Sequence, residues 1–305
     1  MSTSPRLTPD FSGVDAAPIV ACSGGPDSVA LLVLAAEAGL DPTAVYVDHG
    51  LRADCSGDLA AVRAAADRLG VPWRSIAVTV GDGANLEARA RDLRYQALRE
   101  VAADVGATRI LVGHTADDQA ETVILNLLRG SASAGLAGMA RVRDDIVRPL
   151  LHERRAMVRE FLAARGFDAV EDPMNADRGF RRVWIREEVI PMLNAGAARD
   201  VVPILARQAD LLRAESELMD SLGAELLRAA GDGDALRVGV LVDAPVVLAR
   251  RAIRQWLGSP PPAADEVDRV LAVVRGDCVA TELVGGQRVH RSTGRISRSG
   301  KQALP

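Results

Sequence analysis

Lysine is almost absent from this 305-residue chain. Among 37 basic residues there is a single lysine, Lys301, and all the others are arginine. A Walker-type phosphate loop needs a lysine after its glycines, and a pyridoxal-phosphate enzyme needs one for its Schiff base. A lone lysine near the chain end suits neither. Cysteine is scarce too. Cys22, Cys55 and Cys278 are scattered and form no C-x-x-C, which argues against a zinc ribbon, a dithiol redox pair or an iron–sulfur cradle. Aromatic residues make up only 3%, so Ala, Val and Leu must fill the core. No apolar run reaches the roughly 18 residues of a membrane span, and no apolar signal core follows Met1. These features lead us to expect a cytoplasmic protein.

What is present describes a globular chain: 48% hydrophobic and 26% charged, with a net charge of −4 and a pI near 5.7. A length above 300 residues favours two domains. The expected division is residues 1–197 and 198–305. Residues 181–305 carry 18 basic and 16 acidic side chains, so the acid is concentrated in the first part. From Val284 onward there is no acidic residue, whereas Arg288, Arg291, Arg295, Arg298 and Lys301 recur. A solvated tail or a contact with nucleic-acid phosphates would explain such a run.

In the first half, short β-branched runs (Pro18–Cys22, Thr43–Val47, Ser75–Val80, Arg109–Val112, Asp145–Pro149) alternate with helical patterns. This predicts an α/β fold with a parallel five-stranded sheet and helices on both faces. Ligands of such sheets bind at the carboxyl ends of the strands. From Arg154 the patterns become mainly helical, at Arg155–Arg165, Arg182–Leu193, Ala206–Ala230, Ala244–Leu257 and Ala264–Arg275, with strand-like pieces at Leu236–Leu241, Val279–Leu283 and Gln287–His290, so the smaller C-terminal domain is expected to be mostly helical.

The loop Ser23-Gly24-Gly25-Pro26-Asp27-Ser28 joins the first strand to the first helix. Two glycines let successive N–H groups converge on one anion, the helix N-terminus adds positive potential, and Ser23 and Ser28 offer hydroxyls. Asp27 would repel a phosphate unless Mg²⁺ lay between them. A tight turn with serine capping is the plainer alternative. After the fourth strand comes Gly113-His114-Thr115-Ala116-Asp117-Asp118-Gln119-Ala120-Glu121. Asp118 and Glu121, three apart, share a helix face and can bind Mg²⁺ or an ammonium group; Thr115 and Asp118 can equally form a capping box. His49, in Val47-Asp48-His49-Gly50-Leu51-Arg52, is a candidate base or ribose and phosphate contact, or a structural histidine. Arg52 can pair with phosphate or simply cap a helix. Gly130–Gly138 reads as a flexible, uncharged loop, and Arg178, Arg181, Arg182 and Arg186 as phosphate-backbone contacts.

The loop at 23–28 resembles the SGGxDS loop of the N-type ATP pyrophosphatases, the PP-loop family. With Asn85-Leu86-Glu87 running on to Arg94-Tyr95, and with Arg148-Pro149-Leu150-Leu151 and Glu171-Asp172-Pro173-Met174-Asn175, roughly residues 15–195 resemble the tRNA(Ile)-lysidine synthetase family. That resemblance implies a Rossmann-like ATP-splitting ligase. It would join free lysine to C2 of the wobble cytidine of tRNA(Ile) with a CAU anticodon, through an adenylated cytidine, releasing AMP and pyrophosphate. The cofactors would be ATP and Mg²⁺ and the partners tRNA(Ile) and L-lysine. It implies Ser23, Gly24, Gly25, Pro26, Asp27, Ser28 and His49 for ATP, with Asp27 on the metal. Asp27, Asp118 and Glu121 would be catalytic. Asp48, Arg52, Glu87, Arg94, His114, Asp118, Glu121, Arg182 and Arg186 would bind substrate. The chain departs from the family at Arg182-Val183-Trp184-Ile185-Arg186, where Arg-Asn-Arg-Ile-Arg is usual. A PP-loop tRNA thiolase and a non-catalytic nucleotide-binding regulator are the rival readings. Oligomeric state is left open, a homodimer being one option.

Overall fold

In the computed structural model, residues 6–14, 17–48, 50, 56–79, 81, 86–170, 181–259 and 262–300 are described. The chain divides into two compact units, Met1–Leu212 and Arg213–Pro305.

The first unit is built on a sheet in the order β3-β2-β1-β4-β6-β5. Its strands are β1 (Ile19–Ala21), β2 (Thr43–Asp48), β3 (Trp73–Ala77), β4 (Ile110–Val112), β5 (Val142–Arg143) and β6 (Ile146–Val147). The five strands expected from the sequence run parallel; the sixth, the two-residue β5, pairs antiparallel with β6 at one edge. The first strand has β2 on one side and β4 on the other, so the chain winds outward in both directions from β1. The crevice at the carboxyl ends of β1 and β4 is the switch point where such sheets bind ligands.

Helix α1 (Pro26–Glu37) is apolar on all sides, and Ser28 through Ala35 are all buried. A helix of that composition is stable only when enclosed. It packs with α2 (Ser56–Leu69) and α6 (Arg155–Ala164) on one face of the sheet. On the other face, α3 (Leu86–Val105) lays Tyr95, Leu98 and Ala102 against Ile19, Val45 and Ile110. The fourth helix, α4 (Ala116–Leu128), follows β4. It packs through Ala120 and Ile124 against Ile185 and Ile190, in the segment made by α7 (Arg181–Trp184), a π-helical turn (Ile185–Val189) and α8 (Ile190–Ala197).

The glycine-rich stretch 130–138, read as a flexible loop, is held. It contains α5 (Ser133–Leu136), Asn126 Nδ2 donates to the Gly135 carbonyl at 2.8 Å, and the Gln119 side chain exchanges two hydrogen bonds with the backbone of Met139. Uncharged composition suggested mobility, but the polar side chains of α4 supply the partners that order it.

The second unit takes the end of α9 (Val202–Ala230) and adds α10 (Val238–Asp243), α11 (Val246–Leu257) and α12 (Ala264–Arg275). These pack on an antiparallel sheet ordered β7-β8-β11-β10-β9. Its strands are β7 (Gly231–Asp232), β8 (Ala235–Arg237), β9 (Ala280–Glu282), β10 (Arg288–Ser292) and β11 (Arg295–Ser299). The unit is helical with a sheet of two- to five-residue strands, of which β9 and β10 fall on the strand-like pieces of the sequence, while most of the candidate at Leu236–Leu241 is helix α10.

Two glycines set the crevice. A Cβ on Gly24 (φ +82°) would lie 2.7 Å from the Asp58 carbonyl oxygen, and one on Gly113 would lie 2.8 Å from that of Asp27. The loop after β1 is thus pressed between the start of α2 and the loop after β4. Gly113→Ala, whose backbone an L-residue accepts, should destabilise the protein by about 1–3 kcal/mol through overpacking alone. Urea denaturation measures this; an unchanged midpoint would show that the two loops are not in contact.

Candidate active site

Directly above the switch point lies a cavity of about 420 Å³. Its wall brings together Ser23, Gly25, Pro26, Asp27 and Ser28 from the first loop, Asp48 from the end of β2 and Arg94 from α3. His114, Asp118, Arg155, Arg159 and Arg186 complete it. Gly24 sits in the same loop, turned against Asp58. Arg182 is half-buried one turn before Arg186 and does not line the cavity. His49 and Arg52 lie outside the described residues, as do Arg178 and the side chain of Glu87.

The loop is locked from within. Ser28 Oγ donates to the Gly25 carbonyl at 2.8 Å and accepts from Ser23 N–H at 3.1 Å. Its hydroxyl proton goes to the loop's own backbone in this structure. What the loop offers an anion is its backbone and the N-terminus of α1, where the positive end of the helix dipole lies.

Opposite stands a charged cluster. Arg155 Nη2 donates to Asp118 Oδ1 at 2.7 Å and Nη1 to Glu121 Oε1 at 3.2 Å, while Nε stands 3.5 Å from Asp27 Oδ2. Arg186 Nε reaches the same Glu121 oxygen at 2.8 Å. Glu121 is 0% exposed. Arg155 is aimed by Asp117, which accepts the Arg155 backbone N–H at 2.8 Å and both ends of the Arg154 guanidinium. Arg155 carried no signal of its own in the sequence beyond following Arg148-Pro149-Leu150-Leu151 by a few residues. It was missed because only folding brings α6 over α4.

Asp118 closes the capping box that the sequence offered and also pairs with Arg155. Its Oδ2 accepts from Thr115 N–H and Thr115 Oγ, each at 2.8 Å, closing the α4 cap, while Oδ1 faces Arg155. Burial would raise its pKa, but Arg155 and the Thr115 bonds outweigh that and hold it below the ordinary range. The same neighbours, Asp118 and Glu121 first, hold Arg155 more firmly protonated despite its burial. Burial pushes Asp27 up to about 6, with Arg155 opposing and Asp118 adding to the shift. Two carboxylate oxygens, Asp27 Oδ1 and Glu121 Oε2, are buried without a hydrogen-bond partner. Arg159 also lines the cavity and acts on Asp27, as Asp117 does with the opposite sign, so the cluster is a mixed one of several carboxylates and several guanidiniums.

Among the described residues no three His, Cys, Asp or Glu side chains are grouped to hold a metal. A single open carboxylate next to a phosphate loop nonetheless suits Mg²⁺, which keeps waters and takes most of its protein-side charge from one or two carboxylates plus substrate phosphates. Asp27 Oδ1 meets that requirement.

An ionised Asp27 in this cluster should cost stability. Its folded pKa lies above the ordinary 3.8. Between pH 4 and 6 the unfolded chain is therefore ionised while the folded one is protonated, and stability falls as pH rises through that window. Above pH 6, Asp27→Asn should then melt higher than the parent by about 1–3 kcal/mol, with the gap closing below pH 4. Thermal melts across pH 4–8 read it out; a variant less stable at pH 7.5 would show the carboxylate to be a net stabiliser.

The PP-loop domain family matches residues 10–193. Over 274 residues the chain is 40% identical to a tRNA(Ile)-lysidine synthase of Nocardia farcinica, covering 88% of this chain and 85% of that protein. It is 47% identical over 245 residues to one of Mycolicibacterium paratuberculosis, covering 78% and 73%. With one of Thermobifida fusca the figures are 37% over 292 residues, 91% and 90%. Among solved structures, the U34-tRNA thiolase NcsA of Methanococcus maripaludis, described with its 4Fe-4S cluster, superposes with a TM-score of 0.54 at 18% identity. It covers 68% of this chain and 76% of that one, a likeness of fold.

Proposed function

The chain belongs to the PP-loop family and, within it, to the tRNA(Ile)-lysidine synthases, and on that footing we propose that it is an ATP-consuming carbon–nitrogen ligase that makes lysidine on tRNA(Ile). Free lysine is joined to C2 of the wobble cytidine of the CAU anticodon. The cytidine O2 takes the adenylyl group and pyrophosphate departs; the lysine ε-amine then attacks C2 and AMP leaves. The observation that supports this most is the buried carboxylate cluster facing the phosphate loop, in which Asp27 Oδ1 and Glu121 Oε2 lack a hydrogen-bond partner.

In this reading the backbone of residues 23–28 and the α1 N-terminus hold the pyrophosphate portion of ATP. Asp27, with its open Oδ1, would hold Mg²⁺, which when bound neutralises phosphate charge. Asp118 and Glu121 receive the lysine ammonium, Glu121 through its unpartnered Oε2. Arg155 and Arg186 pair with those carboxylates while the amine is away. His49, Arg52 and Glu87 are assigned here on family resemblance alone. The site is assigned to residues 1–197 and RNA contact to 198–305. No single described helix is long and apolar enough to cross a membrane, and we place the enzyme in the cytoplasm beside its substrates.

The second unit offers a surface for RNA phosphates. Val289 and Ile296 turn into its core, so strand alternation and the β10–β11 register put Arg288, His290 and Ser292 outward beside Ser299, Ser297 and Arg295. Arg237 pairs with Arg295 on the next strand. Arg288→Ala and Arg237→Ala should each weaken tRNA binding and lower the salt dependence of log K by about one. Filter binding from 50 to 300 mM salt, as a rough working range, tests it; unchanged slopes would move RNA contact elsewhere.

The thiolase reading loses Cys22 as a nucleophile. Cys22 is buried under the loop, its Sγ donates to the Ser28 carbonyl at 3.7 Å, and burial pushes the thiol up to about 12. Such a thiol is inert. Cys55 lies outside the described residues.

Incubation with labelled lysine, ATP and unmodified tRNA(Ile) should give lysine in RNA together with AMP. Label that stays in free lysine, with tRNA that a known lysidine synthase modifies, would end this assignment. Cys22→Ala should keep activity within about twofold. Glu121→Gln should raise the lysine KM by about 30-fold or more, because a buried charge pair loses one member.

A further inference from the structure

His114 and Arg148 form a pair that the reaction outlined above does not use. Arg148 follows β6 directly and is only 3% exposed. Its Nη1 donates to the Ala140 carbonyl at 2.7 Å, and its backbone N–H donates to the Arg141 carbonyl at 2.8 Å, so both ends of the residue are fixed. Its Nε–H then points at His114 Nδ1, 3.2 Å away.

A guanidinium is always charged and can only donate. The nitrogen it faces must therefore accept, which requires His114 Nδ1 to carry a lone pair. The remaining proton of a neutral imidazole is then on Nε2. His114 lines the cavity, and its neighbour Gly113 is packed against the Asp27 backbone. The groups acting on the ring are Arg148, Arg94 and Arg91, which disfavour a second proton, and Asp118, which favours one. Burial, the largest influence, joins the arginines, and the ring is driven down to about 3.

We propose that Arg148 is a positioning residue that fixes His114 as a neutral Nε2–H donor, aimed at an acceptor oxygen of the substrates. This role rests on the ligase reading. The shared chemistry is a phosphoryl or carbonyl oxygen: the α-phosphoryl group of ATP or O2 of the cytidine. His114 is thus a hydrogen-bond donor held ready before substrate arrives, not an acid–base group. Removing a single such preset donor costs on the order of 100-fold in turnover, and loosening the residue that orients it costs about 10- to 100-fold.

The test is imidazole ¹⁵N NMR on the full chain, whose four histidines are few enough to assign with His114→Gln. The wild-type protein should show His114 as the Nε2–H tautomer, unchanged between pH 5.5 and 8 on the scale of an ordinary histidine titration. Arg148→Met should give mixed tautomers. A non-hydrolysable ATP analogue shifting the Nε2 signal identifies the phosphoryl oxygen; a shift only on adding tRNA identifies the base. A wild-type Nδ1–H tautomer, or a ring that ionises in that range, overturns the proposal. So does a signal that neither ligand moves although both bind. The wild-type tautomer is read without any turnover, so it stands or falls apart from lysidine formation. A folded Arg148→Met protein that retains the Nε2–H tautomer would remove Arg148 from the role.

Discussion

One guanidinium organises the first unit. Arg155 is shared by Asp27 from the phosphate loop and by Asp118 and Glu121 from α4, so three segments far apart in sequence meet on a single charge. Without it, three carboxylates would crowd a crevice where like charges repel strongly. With it, the three carboxylates share one partner. Buried ion clusters of this kind are poor sources of net stability. Two of the carboxylate oxygens, Asp27 Oδ1 and Glu121 Oε2, are left without a hydrogen-bond partner.

The close packing around the crevice serves the same end. Gly24 and Gly113 let backbone approach backbone where no Cβ fits. The internal bonds of Ser28 hold the phosphate loop in shape. Asp117 ties the start of α6 to α4 and so aims Arg155. The π-helical turn at Ile185–Val189 carries Arg186 to Glu121 while Ile185 stays fully buried. Such turns are often found at functional sites. Each device limits motion of a charged group in a place of low dielectric, where small displacements are expensive.

Much of the fold was readable because short β-branched runs alternate with longer helical patterns. The parallel strands, the α6 and α12 segments, and β9 and β10 follow from apolar spacing and turn residues. The loop 23–28 was readable because glycines between a strand and a helix have few other uses. What escaped were β5, β7 and β11, of which β5 and β7 have two residues each. The stretch 130–138 looked mobile because its order comes from Gln119 and Asn126, side chains on another element.

The sequence by itself determined a candidate anion-binding loop without lysine, a carboxylate inside it and an acidic motif after the fourth strand, all local patterns; the class of chemistry came from their resemblance to the PP-loop family. Only the tertiary structure decided which charges meet. Arg155 opens a helix and Arg148 a motif that the sequence shows, but their partners arise from the sheet order that sets β6 beside β4 and from the packing of α6 near α4. The physical reason is range. Hydrogen-bond caps and helix faces act within four residues, whereas pairing and tautomer choice depend on neighbours dozens of residues away that folding alone brings within reach.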